Sequence, residues 1–248
     1  MSCPVFLTET ARMAAARPGG LVELDGPEGR HAVTVRRLRP GETVMLTDGA
    51  GWQVLGEVRR AQPPDRLSVA VTHTERLPAP DPLLVVVQAL AKGERGEAAV
   101  ASMTEVGVDV IVPWAAERSV VRWDPARRER ARGRWQVTAV EAAKQSRRVW
   151  LPRVEAVHGT AEVLGLLRDA EAALVLHESA SQPLAGAWLP SGGRVVLVVG
   201  PEGGISPGEL EAFAAAGAAP VRLGQSVLRT STAGTAAIAV ISARSRWA

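Results

Sequence analysis

The segment from Val195 to Arg229 constrains the fold more than any other part of the chain. It opens with a continuous apolar run, Val195 to Val199. A run without polar alternation is typical of a strand buried on both faces of a parallel sheet. A glycine-rich loop, Gly200 to Gly204, follows directly, and a second strand leads to a second loop that ends in Leu228 and Arg229. Two loops that follow buried strands predict a small-molecule site at the carboxyl edge of the sheet.

The residues after the first loop have the signature of a helix N-terminus. In Ser206-Pro207-Gly208-Glu209, serine takes the N-cap, proline the first helical position and glutamate the third, which together form a capping box. The letters Gly-Pro-Glu-Gly also occur at 26–29, where no buried strand precedes them, so the context of the loop carries the prediction. Glu202 is the only charge in the loop. Its carboxylate either accepts hydrogen bonds from neighbouring loop amides or faces a ligand.

A proline-rich stretch at 77–82 divides the chain. Three prolines within five residues make a stiff linker that contributes little to helices or to strand ladders. Residues 1–76 contain short alternating runs separated by turn signals, which predicts a small β-barrel or sandwich. Strands are expected at 32–35, 44–47, 52–58 and 67–72, with a short helix as the alternative near 30–37.

Strands and helices alternate in residues 83–248, which predicts an α/β domain with a parallel sheet. The strands are expected at 83–87, 108–112, 174–176, 195–199 and 220–223. The helices are expected at 94–106, 135–146 and 231–244, and residues 127–134 also have a helical pattern.

Composition excludes several classes of protein. The single cysteine, Cys3, permits no disulfide within the chain, which fits a reducing, cytoplasmic setting. No apolar run approaches the roughly 20 residues that span a bilayer, and the N-terminus lacks the pattern of a signal peptide. The four histidines lie far apart, so no metal site is expected. The motifs of P-loop enzymes, dinucleotide-binding folds and serine hydrolases are absent.

Basic residues are concentrated between Arg118 and Arg153. This segment holds eleven lysines and arginines against three acids, whereas the whole chain has a net charge of +3. An arginine cluster suits the phosphates of nucleic acid, and Trp123, Trp135 and Trp150 could stack on unpaired bases. The alternative is a solvated helix face without a partner. The candidate RNA-binding residues are Arg30, Arg118, Arg122, Arg127, Arg128, Arg132, Lys144 and Arg147.

Five motifs in order resemble those of the bacterial 16S ribosomal RNA uracil-N3 methyltransferases, the RsmE family of SPOUT methyltransferases. They are 91–95 (AKGER), 104–107 (TEVG) with 117–121 (ERSVV), 134–136 (RWQ) with 141–146 (EAAKQS), 200–204 (GPEGG), and 223–224 (LG) with 228–230 (LRT). The resemblance covers nearly the whole chain. It implies a PUA-like, RNA-binding β-barrel at 1–76 and a SPOUT domain with a C-terminal trefoil knot at 83–248.

The resemblance also implies a cofactor, S-adenosylmethionine, and a homodimer in which both subunits shape each site. Its partner would be 16S rRNA or the small ribosomal subunit, with no membrane and no metal involved. The cofactor-binding residues would be Leu176, His177, Gly200, Glu202, Gly203, Gly204, Ile205, Leu223, Gly224 and Leu228. Ser231 stands where the family commonly has glutamate, and a serine at a helix start is expected to act as the N-cap.

The implied reaction is methylation of N3 of one uridine, and the residue expected to carry it is Arg229. Removal of the N3 proton leaves negative charge on the base, which Arg229 would stabilise at a carbonyl oxygen. The proton would go to a side chain or to water. Two alternatives remain: a non-catalytic RNA-binding or ribosome-assembly protein, and a related methyltransferase that modifies another base.

Overall fold

The computed structural model describes residues 3–247. Its contacts divide the chain into two compact units. The first comprises the described residues up to 79 together with 143–151, and the second comprises 80–142 and the described residues from 152 onward.

The first unit is a curled five-stranded sheet with two short helices. The strands are β1 (Val5–Leu7), β2 (Leu21–Leu24), β3 (Thr43–Thr47), β4 (Trp52–Gln62) and β5 (Arg66–Arg76), in the order β1-β3-β4-β5-β2. The helices are α1 (Thr10–Ala15) and α2 (Gly26–Arg30). Neighbouring strands are antiparallel except β1 and β3. A core that includes Phe6, Met13 and Leu67 fills the curl, which confirms the predicted small barrel.

Two details of this unit differ from the sequence-based expectation. Residues His31–Val35 form a π-helical turn that continues α2, so the strand expected at 32–35 is wrong and the alternative, a short helix near 30–37, is confirmed. Ala32 and Val33 are adjacent and both buried, which a helical turn allows and a strand with one buried face does not. The repeated tetrapeptide at 26–29 begins α2 and follows β2, of which Val22 and Leu24 are buried, so the expectation that no buried strand precedes it is wrong.

The second unit is built on a six-stranded sheet in which every pair is parallel. The strands are β6 (Leu83–Ala89), β7 (Val110–Trp114), β8 (Arg153–Val154), β9 (Ala172–Leu176), β10 (Arg194–Val199) and β11 (Ala219–Val221). Their order is β11-β9-β10-β6-β7-β8. The predicted α/β class and parallel sheet are confirmed.

Helices cover both faces of this sheet. They are α3 (Arg95–Glu105), α4 (Arg128–Gln145), α5 (Thr160–Arg168), α6 (Pro207–Ala215) and α7 (Thr230–Ala243). Successive strand residues point to opposite faces. Leu84 and Val86 therefore pack in a core with residues of α3, α4 and α7, whereas Val85 and Val87 pack in a core with residues of α5 and α6.

Three expectations for this part of the chain need correction. Residues 143–151 group with the first unit, because Val149 packs with Val5 and Met45 and accepts a hydrogen bond from the amide of Gly51 at 3.0 Å. Residues 127–134 and 135–146 belong largely to one helix, α4. The N-cap of α7 is Arg229, so Ser231 lies inside the helix and is not its cap.

Candidate functional site

A cavity of about 600 Å³ opens where β9, β10 and β11 end. Its wall consists of three segments, 176–178, 199–205 and 221–230, with Arg95 and Ala233 at its sides. Each segment is the continuation of a parallel strand, and parallel strands bring their carboxyl ends to the same edge of a sheet. The sheet therefore assembles the two glycine loops into one site.

The residues predicted for cofactor binding all line this cavity. They are Leu176, His177, Gly200, Glu202, Gly203, Gly204, Ile205, Leu223, Gly224 and Leu228. Arg229 lies on the same wall. Sequence reasoning did not select Arg95, Arg222 or Thr230, which also line it. Arg222 directly follows β11, so its position after a buried strand was the available signal.

The first loop depends on glycine at particular positions. A Cβ atom on Gly200 would lie 2.8 Å from Cγ1 of Ile205, and one on Gly203 would lie 3.1 Å from the carbonyl oxygen of Arg118. Gly204 has a φ of +73°, which side chains other than glycine rarely adopt. The loop is thus closely packed and leaves its backbone accessible on the cavity side.

Glu202 braces the first loop against the start of α3. Its Oε1 accepts hydrogen bonds from the amide of Lys92 at 3.3 Å and from the Arg95 guanidinium at 3.2 Å. Burial raises the pKa of Glu202, but hydrogen bonds from its own amide, from Lys92 and from Arg95 outweigh burial and lower that pKa below its usual value. Glu202 therefore stays ionised near neutral pH. The sequence predicted amides of the neighbouring loop as its donors, and the structure adds Lys92 and Arg95 from the segment at the start of α3.

His177 has a defined tautomer. The amide of Ser179 donates to its Nδ1 at 3.3 Å, and the Ser179 hydroxyl lies 2.8 Å from the same atom. A backbone amide only donates, so Nδ1 is the acceptor and the neutral ring carries its proton on Nε2. His177 thus has one ring donor left for a ligand.

Arg229 contributes an exposed cation to the cavity. Within residues 3–247, its side chain has no hydrogen bond or ion pair. Its backbone is fixed, because its carbonyl accepts the amides of Thr232 and Ala233, each at 2.9 Å, as α7 begins. The first turn of a helix carries unpaired amides and partial positive charge, and Thr230 and Ala233 of that turn line the cavity. The site therefore favours negative charge next to Arg229.

The predicted capping box is confirmed, and it forms part of a larger network. The Ser206 hydroxyl accepts the amide of Glu209 at 3.3 Å and donates to Oε2 of Glu117 at 2.7 Å. The buried carboxylate of Glu209 accepts the amide of Glu117 at 2.8 Å and the hydroxyl of Thr160 at 3.0 Å. This network ties the loop that carries Arg118 to the start of α6.

The basic residues fall into two groups. Arg118, Arg122, Arg127 and Arg128 are exposed or partly exposed in the second unit, and Arg30 and Arg147 lie in the first. Arg132 is engaged with Glu129 at 3.0 Å and with the carbonyl of Val154 at 3.2 Å. The expectation for Lys144 is corrected, because its ammonium is buried and lies 2.8 Å from Oε1 of Glu28.

The tryptophans of the basic segment are mainly structural. Trp135 is 3% exposed and belongs to the core, where its ring meets that of Trp123 edge to face with centroids 5.2 Å apart. Trp150 donates from Nε1 to the carbonyl of Leu77 at 3.3 Å. The expectation that these rings stack on bases is wrong for Trp135, because core packing has already covered it.

Within residues 3–247, no helix combines the length and apolarity of a membrane span. The same residues contain no cluster of three or more potential metal ligands.

Residues 79–242 match the RNA methyltransferase domain family, and residues 24–71 match the RNA methyltransferase PUA domain family. The two domains together define the chain as an RNA methyltransferase. A solved structure from Neisseria gonorrhoeae, a ribosomal RNA small subunit methyltransferase E bound to S-adenosylmethionine, has a TM-score of 0.83. It is 29% identical over 98% of both chains.

Curated relatives define the particular family. The chain is 43% identical to ribosomal RNA small subunit methyltransferase E of Mycobacterium bovis, over 92% of this chain and 89% of the relative. It is 31% identical to the protein of that name from Bacillus subtilis, over 88% of both chains. The chain therefore belongs to the ribosomal RNA small subunit methyltransferase E family.

Proposed function

We propose that this protein transfers the methyl group of S-adenosylmethionine to N3 of one uridine in 16S ribosomal RNA. The observation that carries the proposal is the cavity at the strand ends, where two glycine loops meet beside the exposed cation of Arg229. The family and its S-adenosylmethionine-bound relative support the choice of donor and of RNA.

The cavity suits S-adenosylmethionine in size and in chemistry. Its volume of about 600 Å³ is within the range of sites for ligands of this size. Gly200, Gly203 and Gly204 let the backbone approach a ligand closely, and the Nε2 donor of His177 adds a polar contact. S-adenosylmethionine supplies an electrophilic methyl group. We assign its binding to the ten predicted residues that line the wall.

Arg229 stabilises the charge that develops on the base. Loss of the N3 proton spreads negative charge onto the two flanking carbonyl oxygens, and a fixed cation beside one of them lowers the barrier. The first turn of α7 adds its partial positive charge at the same place. N3 lies on the Watson–Crick edge, so the uridine must be unpaired or flipped out of its stack to enter the cavity.

Exposed arginines next to the cavity provide the RNA contacts. Arg118 lies against Gly203 of the first loop, and Arg122, Arg127 and Arg128 continue the basic surface along the chain. Guanidinium groups pair with phosphates in a sequence-independent manner. Arg30 and Arg147 supply further positive charge in the first unit.

The active form is a homodimer that works in the cytoplasm, where ribosomal RNA is found. Val227 on the cavity wall is 77% exposed. Apolar side chains at the edge of a site are covered when a second subunit completes that site.

Mapping methylated nucleotides tests the function directly. Ribosomal RNA from cells with and without the gene is compared, and purified protein is added back with S-adenosylmethionine. We expect the loss and the recovery of one N3-methyluridine. A methyl group on another base would support a related methyltransferase. No change in methylation together with no heat of S-adenosylmethionine binding would support a non-catalytic RNA-binding or assembly protein.

A further inference from the structure

Gln88 is a polar residue in an apolar strand. It lies near the end of β6, whose other residues are leucine, valine and alanine, and its side chain is fully buried. In the sheet it pairs in register with Val199 of β10, the residue before the first cavity loop. Gln88 therefore lies beneath the cavity without lining it.

A chain of two hydrogen bonds leads from Gln88 to the cavity wall. Its Nε2 donates to the Thr230 hydroxyl at 3.0 Å, and that hydroxyl donates to the carbonyl of Gly200 at 2.7 Å. Gly200 begins the first cavity loop, whereas Thr230 follows Arg229 at the start of α7. These two hydrogen bonds thus link two of the three segments that form the cavity wall.

The hydrogen-bond partners of Gln88 fix the donor and acceptor roles in this pair of hydrogen bonds. The same Nε2 also donates to the carbonyl of Ala89 at 3.2 Å, so the amide cannot be turned around without placing oxygen against oxygen. Since Nε2 donates, the Thr230 hydroxyl must accept there and give its own proton to Gly200. A glutamine amide can impose this direction, whereas an apolar side chain cannot.

Stability alone does not account for Gln88. Its Oε1 is buried and has no hydrogen-bond partner within residues 3–247. A buried acceptor without a partner lowers stability, and this cost opposes the gain from the two hydrogen bonds that Nε2 donates. Residues that lower stability in this way are concentrated at functional sites.

We infer that Gln88 is a positioning residue that sets the spacing of the two cavity loops by holding the Thr230 hydroxyl on the Gly200 carbonyl. The inference rests on the proposed function for its catalytic consequence. Its structural consequence, a change in the order of the two loops, does not depend on any ligand.

The Gln88→Met variant separates positioning from stability, because methionine fills a similar volume without a donor. We expect its melting temperature to stay close to that of the unmodified protein, because the variant loses the unpaired Oε1 together with the donor to the Ala89 carbonyl. We expect its kcat to fall by about tenfold or more through misplacement of the reacting groups. Its KM for ribosomal RNA should stay unchanged, since the basic surface is not altered.

The Gln88→Glu variant tests the direction of the hydrogen bonds. A protonated carboxyl group can donate to Thr230, whereas a carboxylate can only accept. Burial raises the pKa of such a group, so kcat of the variant relative to that of the unmodified protein should fall as pH rises. Thr230→Ser should retain activity and Thr230→Val should lose it.

The control is Ser242→Ala, which removes a buried hydroxyl at the other end of α7. It should leave kcat unchanged.

Hydrogen exchange of the amides of 200–204 and 224–230, measured without ligand, should be faster in Gln88→Met than in the unmodified protein and unchanged in the Ser242→Ala control. Unchanged exchange and unchanged kcat in Gln88→Met would overturn the inference. If exchange is faster in Gln88→Met but the unmodified protein methylates no RNA, the positioning role of Gln88 is supported and only the proposed function is contradicted.

Discussion

At the level of single residues, Arg229 is held by its backbone and not by side-chain partners among residues 3–247. It is the N-cap of α7 in extended conformation, and its carbonyl accepts two amides of the first helical turn. Its guanidinium is exposed on the cavity wall. A side chain held in this way can be replaced without loss of packing, so its chemical role can be tested in isolation.

Arg229→Ala should retain the melting temperature and the affinity for S-adenosylmethionine but lose about 100-fold or more in kcat. That loss is the magnitude for removal of a group that stabilises developing charge. Steady-state methylation assays measure kcat, titration calorimetry measures the affinity, and thermal denaturation measures the melting temperature. Arg168→Ala, which removes an exposed arginine of α5, is the control. An Arg229→Ala variant with the control's rate would remove Arg229 from the mechanism.

At the level of secondary-structure elements, the start of α6 joins the first cavity loop to the segment that carries Arg118. Glu209 is 5% exposed, yet its carboxylate is satisfied by donors from three segments: the Ser206 and Glu117 amides and the Thr160 hydroxyl. A buried carboxylate is tolerated only with such a set of donors. The capping box therefore does more than begin a helix, because it also connects elements far apart in sequence.

Glu209→Ala should lower the free energy of unfolding by about 3 kcal/mol, because it leaves buried donors without an acceptor. Denaturant titration measures the effect. Glu211→Ala on the exposed side of the same helix should change stability by less than about 0.5 kcal/mol. Equal effects of the two changes would show that the network contributes nothing beyond helix propensity.

The basic surface before and within α4 should bind RNA through its phosphates. Reversing Arg128 to glutamate should weaken binding. It should also make the slope of the logarithm of the binding constant against the logarithm of salt concentration shallower, by about 0.7 to 0.9 for each phosphate that the protein no longer neutralises. Binding isotherms at several salt concentrations measure this slope. Arg168→Glu makes the same change of charge on α5. Identical slopes for the two variants would mean that the arginines around α4 are only a solvated face.

Arg132 is unsuitable for that test for a structural reason. Its guanidinium contacts Glu129 and the carbonyl of Val154, so its reversal would disturb the fold as well as the charge. Lys144 is unsuitable because its ammonium is buried against Glu28. The exposed members of the predicted set are the informative ones.

At the level of the whole molecule, the proposed homodimer predicts a mass in solution of twice 26.1 kDa. Val227→Asp should shift the mass towards the monomer and lower turnover, because a charge at a covered apolar contact is costly. Light scattering and methylation assays measure both. Leu21→Asp changes an exposed apolar residue of the first unit and should have neither effect. A monomer with full activity would contradict the shared site.

The sequence alone determined the features that depend on neighbouring residues. The apolar run before Gly200, the capping box at Ser206 and the glycine loops predicted a parallel α/β sheet with a site at its carboxyl edge, and the sheet has that form. These features are local, because burial periodicity and helix capping involve residues only a few positions apart in the sequence. The residues expected to bind cofactor consequently all lie on one cavity wall.

Only the tertiary structure decided which side chains are exposed and which loops meet. Lys144 has the same local charge pattern as its exposed neighbours, but it is buried and pairs with Glu28, 116 positions away. Trp135 lies in a basic segment and is nevertheless part of the core. Gln88 reaches Thr230 across 142 positions. Contacts at such separations depend on strand order and side-chain packing, and no local pattern in the chain records them.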